Sequence, residues 1–287
     1  MDDTILRWQV GNVRITRLVE TELPTSPRFL FSGVSKEDVL GISWLRPHFA
    51  DERGLLTLSI HALIVESMGQ TLLVDTCVGN DKQRELPDWN MRKGTFLADL
   101  AALGFPRESI DVVMCTHLHV DHVGWNTTWE DGEWIPTFPN ARYLFARDEW
   151  DYWSVRGQDE FGPVVEDSVR PIVDAGLADL VEMNHRINDE LWFEPTPGHT
   201  PGHVSVRIES DGEHAVITGD MTHHPCQFAH PEWAVSIDYD ANASTQTRRD
   251  FYQRYADQPV LIIGTHFAAP TAGHIVRDDD AYRLLVE

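Results

Sequence analysis

The spacing of apolar and polar residues marks out the first elements. Residues 5–20 alternate around Val10, Val13, Ile15 and Leu18, which predicts a strand. From 21 to 56 the pattern is broken by Pro24, Pro27, Gly33, Gly41 and Pro47. This reads as an irregular arm with one short helix near 36–40. Two apolar runs, 60–66 and 71–75, flank Met68-Gly69 and predict a β-hairpin. A helix is expected over 95–103, closed by Gly104, and then a short buried strand over 110–115. The stretch 125–163 is rich in aromatics, Pro and Gly. It reads as a loop, a strand at 143–146 and a helix near 148–153. Further along, 164–175 reads as helix. Runs 204–208 and 215–218 form a second hairpin about Asp211-Gly212. The end of the chain reads as a helix over 245–256, a strand over 260–264 and a short helix over 278–285. The acidic run from Asp278 to Asp280 would open that last helix.

Each predicted hairpin finishes on an aspartate, Asp75 in Leu73-Val74-Asp75 and Asp220 in Thr218-Gly219-Asp220. This echo is consistent with two similar αβ halves. No linker, short repeat or low-complexity segment interrupts the 287 residues, so the chain reads as one domain, 1–287, with an N-terminal arm at about 21–56.

Composition narrows the functional classes. The formal charge of -23, spread along the chain, repels phosphate backbones and argues against a nucleic-acid partner. Three dispersed cysteines, Cys77, Cys115 and Cys226, do not make a disulfide framework, and a cytoplasmic location is expected. The acidic residues 1–4 lead into Arg7-Trp8-Gln9 without an apolar core, so no signal peptide is expected. No apolar run is long enough to suggest a membrane span.

The chemistry is concentrated in Thr116-His117-Leu118-His119-Val120-Asp121-His122-Val123-Gly124, directly after a predicted strand. In extended chain, residues two apart point the same way, so His117, His119 and Asp121 project together, and a turn brings in His122. Imidazole and carboxylate donors suit Zn, Fe or Mn. His199 lies in the loop Thr196-Pro197-Gly198-His199-Thr200-Pro201-Gly202-His203. Asp220 follows the predicted strand at 215–218, and His266 follows that at 260–264. Each is placed at a strand end or in the loop before a strand, where one rim of a sandwich could gather them.

The motif His-x-His-x-Asp-His, followed by His199, Asp220 and His266 in that order, resembles the metallo-β-lactamase superfamily over about 60–270. The resemblance implies an α/β fold, an αββα sandwich of two mixed sheets flanked by helices, with two divalent metal ions at one edge. Zinc is the expected metal, with Fe, Mn or Co as substitutes. It further implies that His117, His119 and His199 hold one ion, that Asp121, His122 and His266 hold the other, and that Asp220 bridges them. β-Lactamases of the common type lack this full set. The segments 138–141, 196–203, 264–267 and 273–275 are similar to the branch of lactonases and methyl parathion hydrolase-like enzymes. Many quorum-quenching lactonases carry a tyrosine three residues after the bridging aspartate, and His223 stands there in this chain.

The expected activity is attack on a lactone or ester carbonyl by a metal-bridging hydroxide. Asp121 would hold the nucleophile and shuttle its proton, and His223 would donate to the developing oxyanion. Trp125, Phe228 and Phe267 are expected to wall an apolar pocket for a small hydrophobic ester or lactone. The alternative substrates are aryl esters and organophosphate triesters. From other classes, a diiron redox protein or a non-catalytic metal module would use the same ligands. A glutathione-thioester hydrolase would add a basic patch, which the last third does not show. His203 and His274 are expected to support the site or the structure, and Asp75 to orient a ligand. His61, His185, His214, His224 and His230 carry no spacing signal and are expected to serve packing or the surface. Phe29, Leu30, Phe31 and Trp44 in the arm suggest a homodimer.

Overall fold

The computed structural model describes residues 5–156 and 161–286. Residues 1–4, read above for a signal peptide, and 157–160, in the aromatic stretch, lie outside them. The chain divides into two compact units. One takes residues up to 20 together with 60–185, and the other takes 21–59 together with 186 onward.

A seven-stranded sheet carries the first unit. Its strands in chain order are β1 (Arg7–Val10), β2 (Val13–Thr25), β3 (Leu56–Ser67), β4 (Gln70–Val74) and β5 (Val112–Met114). After a separate two-stranded hairpin of β6 (Thr127–Glu130) and β7 (Glu133–Pro136) come β8 (Arg142–Ala146) and β9 (Ala178–Val181). The sheet order is β1-β2-β3-β4-β5-β8-β9. Pairing is antiparallel for β1/β2 and β3/β4, and parallel from β4 through β5 and β8 to β9. The continuous apolar run Ala62-Leu63-Ile64-Val65 is that of a strand buried on both faces, and all four residues are inaccessible. The helices of this unit are Phe96–Ala102, Arg147–Trp153 and a π-helical turn, Val165–Val169, running into Arg170–Asp174.

A six-stranded sheet carries the second unit, in the order β10 (Leu191–Pro195), β11 (Val204–Ser210), β12 (Glu213–Ile217), β13 (Val260–Ile263), β14 (Ala272–Asp278) and β15 (Ala281–Leu285). Only β12/β13 is parallel. The long helix Ala241–Tyr255 starts four residues before its expected 245 because the Asp240 carboxylate accepts the backbone N–H groups of Asn242 and Ala243. The arm is more regular than expected. Besides the anticipated helix, Lys36–Gly41, it holds a turn of helix at Pro27–Leu30 and a 3₁₀ turn at Ser43–Leu45. Leu30 and Phe31 are buried within this unit's own core, while Phe29 is 58% exposed.

Three readings change. Residues 5–20 are not one strand but the hairpin β1/β2, turned at Gly11 with φ +54. The loop expected after 125 contains the hairpin β6/β7, whose Asp131-Gly132 turn has φ +51 and +93. The same geometry closes β3/β4 at Met68-Gly69 and β11/β12 at Asp211-Gly212, as a primed turn requires. The final segment is not a helix. The acidic run forms the turn of the hairpin β14/β15, with Asp279 at φ +51, and alternation buries Ile275 and Leu284.

All three cysteines are buried thiols without a disulfide, and burial pushes each well above the ordinary cysteine range. No helix among the described residues is long and apolar enough to cross a membrane.

Candidate metal centre

In the first unit the histidine segment leaves the end of β5 as a tight loop. The loop is held from behind by groups distant in sequence. Asp75, just past β4 and at φ +56, accepts from the backbone N–H of Thr116 at 2.8 Å and from its hydroxyl at 2.9 Å. The oxygen that takes the hydroxyl also lies 2.9 Å from Nδ1 of His122. A carboxylate behind a ring nitrogen fixes the tautomer and leaves the other nitrogen free to face away from it, so Asp75 holds the His122 ring in one orientation. Thr116 Oγ1 lies 3.1 Å from His117 Nδ1. The rings of His117 and His119 are 4.6 Å apart, those of His117 and His122 4.0 Å apart, and Asp121 Oδ1 is 3.6 Å from His122 Nε2. His117, His119 and His122 are buried, whereas the Asp121 side chain is 14% exposed.

Two further acids, neither visible as a site residue in the sequence, pin the same loop. Glu149 accepts the backbone N–H of Leu118 and the indole N–H of Trp153, whose ring lies edge-on to His119 at 5.3 Å. Glu20 accepts from Val78 N, Gly79 N and Trp125 Nε1. Gly124 is required, because a Cβ there would stand 1.9 Å from the carbonyl oxygen of Val78.

In the second unit three histidine rings converge on one carboxylate. Asp220 Oδ2 lies 3.0 Å from His223 Nε2, 3.2 Å from His266 Nε2 and 3.6 Å from His199 Nε2. His199, Asp220 and His223 each offer a ligand atom within 4.8 Å of the others. The far side of His199 and His266 is anchored. His199 Nδ1 is 2.8 Å from Asp238, and His266 Nδ1 is 3.0 Å from the Ser59 carbonyl. His203 supports Asp220 itself. Its Nε2 accepts the Asp220 backbone N–H at 2.8 Å, and its Nδ1 lies 3.0 Å from the Thr196 carbonyl. His223 is buried and its backbone is held by Gln227. Burial lowers its basicity, against the pull of Asp220. His224 is buried and tied to the Phe49 carbonyl. Burial lowers its pKa to about 4, so it is a neutral packing residue. His274 lies 3.0 Å from the Val260 carbonyl, in strand pairing rather than in the cluster.

Nitrogen and carboxylate donors, buried and oriented from behind, suit a divalent metal in both clusters. The three aromatics expected to wall a pocket are core residues of their units. Trp125 stacks on Phe96 at 5.4 Å, and Phe228 packs against Tyr252 and Phe267.

Residues 56–277 match the model of the metallo-β-lactamase superfamily. The chain belongs to that superfamily. The two mixed sheets with their helices are consistent with its sandwich. Among curated relatives, a probable metallo-hydrolase, YybB of Bacillus subtilis, is 25% identical over 74% of this chain and 82% of its own. The N-acyl homoserine lactonase AttM of Azorhizobium caulinodans is 30% identical over 40% of this chain and 43% of its own. In structure, the dizinc quorum-quenching lactonase AidC aligns with a TM-score of 0.84 at 21% identity, covering 99% of this chain and 97% of AidC. The hydrolase AbOPH aligns with a TM-score of 0.79 at 25% identity, with the same coverage. The relatives are thus metal-dependent hydrolases, lactonases among them, and AidC was solved with an acyl-homoserine product.

Proposed function

We propose that this protein is a dinuclear metal hydrolase that opens lactones carrying a hydrophobic acyl chain. The supporting observation is the convergence of His199, His223 and His266 on Asp220 in one unit, while the other unit carries its own histidine cluster held by Asp75. His117, His119 and His199 would hold one ion and Asp121, His122 and His266 the other, with Asp220 shared between them. Bound there, divalent ions would supply a water acidic enough to attack at neutral pH and would polarise the substrate carbonyl.

The chain's own groups do the rest. Asp121, the most accessible carboxylate of the set, takes a proton from the attacking water and returns it to the leaving alkoxide. His223 donates an N–H to the developing oxyanion, the role a tyrosine hydroxyl serves in many lactonases. Enclosure of the histidines keeps these interactions strong by excluding competing water.

Acid release from a long-chain acyl-homoserine lactone, followed by pH-stat with zinc-reconstituted and chelated protein, tests the reading. Rapid, chelator-sensitive release is expected. No release from fully metallated protein would overturn the lactonase reading in favour of aryl esters and phosphotriesters.

A further inference from the structure

We infer that Asp238 is the positioning residue that sets the metal-binding tautomer of His199, acting from a loop clamped by Arg248. This rests on the reading of His199 as a metal ligand. The two side chains meet at 2.8 Å, and neither has any exposed surface. Nothing in the sequence marks Asp238: it lies in Ile237-Asp238-Tyr239-Asp240, 39 residues from its partner.

The carboxylate cannot swing away. Its second oxygen accepts the backbone N–H of Val235 at 3.1 Å. The backbone on either side is stitched to the His199 loop, with Tyr239 N donating to His199 O at 2.9 Å and Asp240 N donating to Gly198 O at 3.0 Å. Gly198, at φ +132, brings that loop so near the helix Ala241–Tyr255 that a Cβ would lie 2.3 Å from Ser244 N. From the same helix the buried Arg248 reaches back. It donates to the carbonyls of Pro231 and Met221 and to the Ser244 hydroxyl, and its Nη1 lies 3.9 Å from Asp238. One guanidinium therefore ties the start of the 231–238 loop to the residue that follows Asp220.

The consequence is a specific tautomer. An acceptor on both oxygens obliges His199 to carry its proton on Nδ1, which leaves Nε2, directed at Asp220, to bind a cation. An asparagine has only one oxygen. With that oxygen kept by Val235 N–H, its NH₂ would confront His199 Nδ1 and favour the opposite tautomer, with the proton on the ligand nitrogen. Asp238→Asn should therefore impair metal binding more than Asp238→Ala, which leaves the ring merely unguided.

The test uses the full-length chain. Zinc affinity is measured by competition with a chromophoric chelator for the wild type, D238N and D238A, and long-range ¹H–¹⁵N spectra of the metal-free proteins report the His199 tautomer. We expect the wild type to carry the Nδ1–H form. D238N should carry the Nε2–H form and bind one zinc on the order of 10–100-fold more weakly, with a smaller loss in D238A. Unchanged zinc affinity and tautomer in D238N would overturn the inference, as would a larger loss in D238A. If D238N does not fold, the wild-type tautomer and D238A decide. Failure of the wild type to bind zinc would instead sink the metal-hydrolase reading, and the tautomer measurement would still judge Asp238.

Discussion

The two units build their histidine clusters in opposite ways. In the first, His117, His119, Asp121 and His122 come from one loop that follows β5. In the second, His199, Asp220 and His266 come from three separate places in the chain. A single loop supplying four clustered polar side chains has little intrinsic order, so it is held from behind by Asp75 and Glu149, by Glu20 through the adjoining Trp125, and by the close approach at Gly124. Side chains just past separate strand ends are registered by the sheet itself, as when Thr218 N donates to Ile263 O beside the parallel pair β12/β13. There only the individual groups need pins: Asp238, the Ser59 carbonyl and His203. A shared plan underlies both. β3-β4-β5 and β11-β12-β13 each run antiparallel and then parallel, and an aspartate follows the middle strand of each.

The largest effect is expected where the second cluster converges. Asp220→Ala should lower lactone hydrolysis by about 10³-fold or more, since several kcal/mol of charge stabilisation goes with it. Asp121→Asn should cost about 10²-fold in kcat if Asp121 moves the proton. Near-normal turnover in fully metallated D121N would remove that role. Packing comes next. Gly124→Ala and Gly198→Ala should each destabilise by about 3 kcal/mol, read from denaturant midpoints, because the new methyl meets backbone in both loops. A mild effect at Gly198 alone would show that the dispersed cluster tolerates looser loops.

Asp75→Asn sharpens the contrast. It should weaken zinc binding by about 10–100-fold and also lower stability by about 1–3 kcal/mol, because Asp75 holds backbone as well as a ring. The smallest effect concerns a buried cation of the first unit. Lys82 is buried over the Trp134 ring beside Thr127 and Asp167, and burial lowers its pKa to about 7. Its folded pKa lies below its unfolded value, so its contribution to stability is full above about pH 10.5 and is lost as pH falls to about 7. Relative to Lys82→Met, the wild type should gain on the order of 1 kcal/mol per pH unit between pH 8 and 9, measured by denaturant unfolding. A flat difference would mean that Asp167 keeps the ammonium charged.

What the sequence revealed follows the same division. His117 to His122 sit together and can be read at sight, and Met68-Gly69 and Asp211-Gly212 announce their hairpins. Asp131-Gly132 carried the same signal, masked by the surrounding tryptophans. Asp278 to Asp280 looked like a helix start because acids favour both helix N-termini and tight turns. Glu20 and Asp238 escaped because their partners lie up to 105 residues away, and no local period records such contacts. Glu149 was hidden by its place in an aromatic helix that reads as packing.

The buried thiols have a practical consequence. With Cys77, Cys115 and Cys226 inaccessible and held in the protonated form, the folded protein should ignore maleimides. A cysteine introduced at exposed Met68 or Val155 would then be a unique attachment point, giving a fluorophore or surface tether one address without first stripping the native sulfurs.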